Sequence, residues 1–166
     1  MADTPVPPYA DVIPVRPGEE FDAAAVGAYL EGKVPGARGV PEVWQFPGGH
    51  ANLTYLICYP GAGSYVLRRP PPGDLPASAH DMGREFRVLS TLYRAYPQAP
   101  RAFVFCEDRA VIGVPFFVME RREGVVVRRE VPPQFGGGTD PAVNRKLSEV
   151  TIDALADFHA VDPRAA

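Results

Sequence analysis

Cysteine and tryptophan are scarce in this chain of 166 residues, which holds two of the first and one of the second. The two thiols, Cys58 and Cys106, are too few for a disulfide scaffold or a cysteine-based metal cluster, and both lie in apolar strand-like runs. They read as buried free thiols. Long hydrophobic runs are absent too: no window approaches the about 18 apolar residues that cross a bilayer. The opening MADTPVPPYADVIPVRPGEE has neither the basic start nor the apolar core of a signal peptide. A positive surplus is also lacking. The formal net charge of −3 gives nucleic acid or an anionic membrane no global attraction, so neither is expected as a partner, and a reducing, cytoplasmic setting follows. The dense basic spots are the pairs Arg68–Arg69, Arg121–Arg122 and Arg128–Arg129, each beside a strand-like run. Most of these six arginines are expected to be solvated surface charges.

What is present fits one globular unit with a real core, at 46% hydrophobic and 22% charged residues. Residues 1–20 carry five of the twenty prolines and read as an extended leader. In FDAAAVGAYLEG, Asp22 can cap a short helix whose apolar side is Phe21, Val26, Tyr29 and Leu30, with Gly32 ending it. Strands are expected at Val43–Phe46, Leu53–Tyr59 and Ser64–Arg69, joined by the glycine-bearing connections PGGHAN and PGAG. Ser78 or Asp81 then starts a helix to about Tyr96, with Met82, Phe86, Leu89, Leu92, Tyr93 and Tyr96 on one face. Strands resume at Phe103–Cys106 and Val114–Glu120, and Val125–Arg128 would complete a five- or six-stranded antiparallel sheet, one face covered by the helix. EVPPQFGGGTD, around residues 131–139, reads as a flexible linker. Asp140 caps a last helix with Pro141 in its first position and a stripe of Val143, Leu147, Val150, Thr151, Ala154, Leu155 and Phe158.

Three features in this frame bear on chemistry. Gly48 and Gly49 let backbone N–H groups approach phosphate oxygens without a side-chain clash, although a plain hairpin turn explains them equally, with His50 as a turn residue. Arg68 is the first of the two arginines that end the strand YVLRR, and seventeen residues later Glu85 sits beside the apolar face of the second helix. A carboxylate there can reach over the sheet to orient the cation. Arg84 and Arg87 flank it, so an ordinary solvated helix charge is the alternative. Finally, the apolar strand ending in Met119, Glu120 and Arg121 has the form of a connector whose backbone could hold the edge of a base. A core strand with a polar exit has the same form.

In order, GGHANLTYL, YVLRRPPPG, HDMGREFRVLSTL, EDRAVIGVPFFVMER and LADFHAVDP resemble the aminoglycoside phosphotransferase family of small-molecule kinases, in the branch found alone in bacteria or fused to acyl-CoA dehydrogenases. The resemblance spans about residues 12–163. It implies an α+β, protein-kinase-like N-terminal lobe over 21–130 and, over 140–166, the first helix of a mostly helical second lobe. It implies ATP and Mg²⁺ as cofactors and a small-molecule hydroxyl as substrate. The nucleotide-binding positions carried over are Gly48, Gly49, His50, Asn52, Arg68, Glu85, Met119, Glu120 and Arg121. Arg68 stands where the family has lysine; it stays charged and can fork onto two oxygens, but is not equivalent.

The family's H-G-D-x-x-x-x-N loop and its later metal-binding aspartate do not occur in this sequence. His159 lacks the Gly-Asp that follows the loop histidine, and Asp162 is not a catalyst on this reading. No catalytic or metal-binding residue is therefore assigned here; the magnesium ligands belong to the second lobe, and the chain reads as a fragment inactive by itself. The last helix, without that lobe, is expected to leave its stripe partly bare and to favour self-association. A non-catalytic nucleotide-binding or interaction module is the alternative, and a purely structural sheet-and-helix domain is a third.

Overall fold

The structure is a computed structural model and describes residues 7–48, 52–71, 81–127 and 129–164. Ser78 and the rest of 72–80 lie outside the described residues, as does Arg128.

Asp22 caps the first helix, α1 (Ala23–Leu30), by accepting from the N–H groups of Ala24 and Ala25 at 2.9 and 3.0 Å. Five strands follow: β1 (Glu42–Gln45), β2 (Leu53–Tyr59), β3 (Gly63–Arg69), β4 (Ala102–Cys106) and β5 (Phe116–Glu120). They form one sheet in the order β1-β2-β3-β5-β4, antiparallel throughout. Helix α2 (Met82–Leu92) connects β3 to β4, with Asp81 accepting from the Arg84 N–H at 2.8 Å. It stops at Leu92, four residues before the expected end, and turns carry the chain through Tyr96.

Both faces of the sheet are covered, where the sequence suggested one. Strand alternation sends Tyr55, Ile57, Leu67, Phe116 and Val118 to the first face, where α1 closes the main core with Val26 and Leu30. The second face carries Phe117 and Met119, packed under Met82, Phe86 and Leu89 of α2. Farther along it, Trp44 and Leu56 are capped by Val12 from the leader. The leader is thus docked: Ile13 and Gln45 exchange two backbone hydrogen bonds at 2.8 and 2.9 Å. A bulge between Ala102 and Val104 of β4 lets Ala102 face α2 while Phe103 and Val104 both turn to the α1 core.

Several expectations fail for local reasons. EDRAVIG does not simply link two strands; Asp108 caps a one-turn helix, α3 (Arg109–Ile112), which Gly113 ends at φ 84°. β5 consequently starts at Phe116 rather than Val114. Val125–Val127 is no sixth strand: the three valines are exposed and irregular, since no sheet edge pairs with them. The glycine-rich linker folds a short 3₁₀ segment, Pro133–Gly138, with Gly136 and Gly137 at positive φ. Asp140 then caps the last helix, α4 (Pro141–His159), with Pro141 at its first turn. Both cysteines are free, Cys106 buried and Cys58 half-buried. Among the described residues no helix is long and apolar enough to cross a membrane.

Candidate functional site

Arg68 and Arg69 are neighbours with opposite fates. Arg68 lies across from Phe117 in the antiparallel register, which places it on the α2 face of the sheet. Its Nη1 donates to Glu85 Oε1 of α2 at 2.8 Å, and both side chains are about a third exposed. The Arg68 Nε–H is buried and has no hydrogen-bond partner among the described residues. Arg69 points into the α1 core and is 4% exposed. It donates from Nε and Nη2 to the Tyr55 hydroxyl at 3.1 and 2.8 Å and from Nη2 to the Glu19 carbonyl at 2.6 Å. Burial raises the Tyr55 phenol above its ordinary value, against the opposing pull of Arg69. The expectation that the arginine pairs are mostly surface charges therefore fails for Arg69, which is a buried structural cation.

Around the Arg68–Glu85 pair opens a cleft of about 440 Å³, lined also by Asn52, Asp81, Met82 and Arg84. It combines four guanidinium or carboxylate groups, those of Arg68, Asp81, Arg84 and Glu85, with the apolar side chains of Met82, Val88 and Leu89. Two of its charged residues were not singled out from sequence. Asp81 was seen only as a helix cap, and it also faces Arg87 Nη2 at 3.9 Å. Arg84 was seen only as a flank of Glu85. Val66, two residues before Arg68 on the same strand face, sits opposite Met119 and is legible from alternation once Arg68 is placed.

The remaining candidates are distributed as follows. Gly48 is half-buried, three residues past the end of β1, while Gly49 and His50 lie outside the described residues. Met119 packs with Ala102 and Phe117 under α2. The Glu120 carboxylate accepts from the Arg101 N–H at 3.2 Å and meets Arg122 Nη2 at 3.2 Å, and the Glu120 N–H donates to the Arg101 carbonyl. Arg121 is covered by the Tyr9 ring, 3.5 Å from its guanidinium carbon to the ring centre, and pairs with Asp11 at 3.3 Å. Its side chain is only 8% exposed, a second exception to the solvated-arginine expectation. The structure thus brings Asn52, Arg68 and Glu85 together; Met119, Glu120 and Arg121 do not line that cleft. Among the described residues no three His, Cys, Asp or Glu side chains converge on one point.

The chain and its fold have counterparts among known proteins. A model of the phosphotransferase enzyme family, APH, matches residues 42–166. Acyl-CoA dehydrogenase family member 11 from Rattus norvegicus is 33% identical over 156 residues, covering 92% of this chain and 19% of its own length. The human protein of that name is 32% identical over 157 residues, covering 92% of this chain and 20% of itself. Probable acyl-CoA dehydrogenase IBR3 from Arabidopsis thaliana is 35% identical over 157 residues, covering 89% and 18%. The chain therefore spans about a fifth of the length of these curated relatives. A crystal structure from Ralstonia eutropha, of a protein assigned as an aminoglycoside phosphotransferase, superposes with a TM-score of 0.57 at 32% identity, over 74% of this chain and 33% of that one. The five-stranded sheet with its helices matches the N-terminal lobe of that kinase-like fold.

Proposed function

The chain belongs to the phosphotransferase enzyme family, and from that premise we propose that it is the nucleotide-holding lobe of a kinase that phosphorylates a hydroxyl of a small molecule. The observation that carries this reading is the Arg68–Glu85 pair, with a buried Nε–H on Arg68 that has no partner among the described residues. Phosphoryl transfer asks the protein mainly to position and to stabilise charge. ATP would supply the transferable phosphoryl group. Arg68 would offer its fork to the non-transferred phosphates, and Glu85 would hold the guanidinium in one rotamer between α2 and β3. Gly48 would let backbone approach the phosphate tail, and Asn52 would add a polar wall. Val66 and Met119, opposite one another on the same face, would give the base an apolar seat beside the connector.

Among the described residues no three His, Cys, Asp or Glu side chains converge, and the magnesium ligands are assigned to the second lobe of the family's fold. The proton-accepting aspartate of the family motif is likewise not in this sequence. The reading is therefore a lobe that binds nucleotide weakly and transfers nothing by itself. The relatives are named for acyl-CoA dehydrogenases, which supports a hydroxy acid or a hydroxyacyl-CoA as the acceptor in the intact enzyme, rather than nucleic acid or a membrane.

Titration calorimetry of ATP into the chain, with and without Mg²⁺, tests this. Binding in the range of about 100 µM to 1 mM, on the order of 4 to 6 kcal/mol, is expected, with at least a tenfold loss, about 1.4 kcal/mol, in Arg68→Ala. Binding that ignores Arg68, or phosphoryl transfer by the chain alone, would overturn it.

A further inference from the structure

The second face of the sheet is shared by Arg68 and by the leader. Thr54 opposes Arg68 across β2–β3, so alternation along β2 puts Leu56 and Cys58 on the Arg68 face as well. One row crosses that face from Trp44 through Leu56 and Val66 to Met119. Val12, 3% exposed, sits on the Trp44 and Leu56 end of the row. Toward the connector, Tyr9 lies over Arg121, and Pro8, Tyr9, Cys58, Ser64 and Arg121 line one cleft of about 620 Å³. The Arg121 Nη1 is buried beneath this cover and has no partner among the described residues.

From this we propose that residues 8–13 are an inhibitory strap, held across the base end of the nucleotide cleft by the stacking of Tyr9 on Arg121. The proposal rests on reading the Arg68 face as the nucleotide face. The strap has a firm end and a loose end. Ile13 is bonded twice to Gln45 and Val12 is buried, whereas Tyr9 is 36% exposed and Asp11 49% exposed by side chain. The loose end is held by a partly solvated cation–π contact and a partly solvated ion pair, both weak attachments. A turn in which the Val12 N–H donates to the Tyr9 carbonyl at 3.5 Å joins the two ends. A base seated between the Trp44–Met119 row and the connector meets this segment first. Nucleotide and strap are then alternative occupants of one surface, and each weakens the other by the same factor.

The experiment is ATP titration of the full chain beside Tyr9→Ala and Tyr9→Ala/Arg68→Ala, with amide hydrogen exchange of the wild type at Val12 and Ile13. Tyr9→Ala should tighten ATP binding by about five- to tenfold, as for a site that is open only about a tenth to a fifth of the time before substitution. The double variant should lose that gain. Saturating ATP should speed exchange at Val12 and Ile13. An unchanged or weaker affinity in Tyr9→Ala, while wild-type binding still depends on Arg68, would overturn the strap and make Tyr9 neutral or part of the seat. Slower exchange with ATP would overturn it in the same way. Absence of any Arg68-dependent binding in both wild type and Tyr9→Ala would instead bring down the nucleotide reading, and the strap with it. The exchange measurement needs no substitution, so it stands even if a variant folds poorly.

Discussion

Arg68 and Glu85 meet at 2.8 Å across the gap between β3 and α2, although seventeen residues separate them and 72–80 lies between. The contact exists because register puts Arg68 on the face that Phe86 and Leu89 of α2 pack against, and Glu85 neighbours that packed stripe.

Glu85→Gln should separate function from stability. Because the pair is partly solvated, its loss is expected to change unfolding free energy by no more than about 1 kcal/mol. ATP affinity should fall several-fold, because the guanidinium loses the anchor that fixes its direction. Urea unfolding beside calorimetry checks both halves, and a large stability loss with unchanged ATP binding would mark the pair as purely structural.

Arg69→Ala is predicted to do the opposite of Arg68→Ala. It removes a buried cation and its bonds to the Tyr55 hydroxyl and the Glu19 carbonyl, which keep only their bond to each other at 2.7 Å, and should cost about 2–4 kcal/mol in urea unfolding. Arg69→Lys should recover little, because one ammonium cannot reproduce the two-nitrogen contact with Tyr55. If both arginines prove equally tolerant, the assignment of faces is wrong.

The last helix should make the chain associate with itself. No residue of α4 is buried, and Val150, Ile152, Leu155 and Phe158 are between 43% and 63% exposed. Its docking rests on few contacts, notably Tyr96, whose hydroxyl donates to the Ala154 carbonyl at 2.9 Å and whose ring meets Phe158 edge-on at 5.5 Å. Sedimentation over a range of concentrations is expected to show weight-average mass rising, and Leu155→Glu should suppress the rise. A concentration-independent monomer would refute the association.

Alkaline pH should loosen the core through Tyr29. Burial, then its contact with Cys106, raises the Tyr29 phenol to about 12, and its hydroxyl donates to the Phe105 carbonyl. The folded state thus holds its proton more tightly than the unfolded state, whose phenol titrates near 10. Its contribution is complete below pH 10 and is lost as pH rises toward 12. Thermal melts should fall across that window, less steeply in Tyr29→Phe. Burial also raises Tyr55 and Tyr59, so some slope should survive the substitution.

The sequence by itself determined what periodicity and punctuation can encode. The caps Asp22 and Asp140 start their helices, as does Asp81, one of two candidates for its helix; the strand runs 53–59 and 64–69 pair through a glycine turn, and alternation sends Arg68 and Arg69 apart. These are local rules, set by neighbours within a few positions. Only the tertiary structure decided which face each arginine met, because a face is named by whatever packs on it. Arg69 became a core cation since the leader's Glu19 carbonyl and Tyr55 were there to receive it, and Arg121 was covered since Tyr9 came to rest upon it. Val125–Val127 shows the same limit from the other side. Three β-branched residues have the propensity of a strand, but propensity makes a strand only where the chain is brought alongside an edge, and these valines pair with no strand of the sheet.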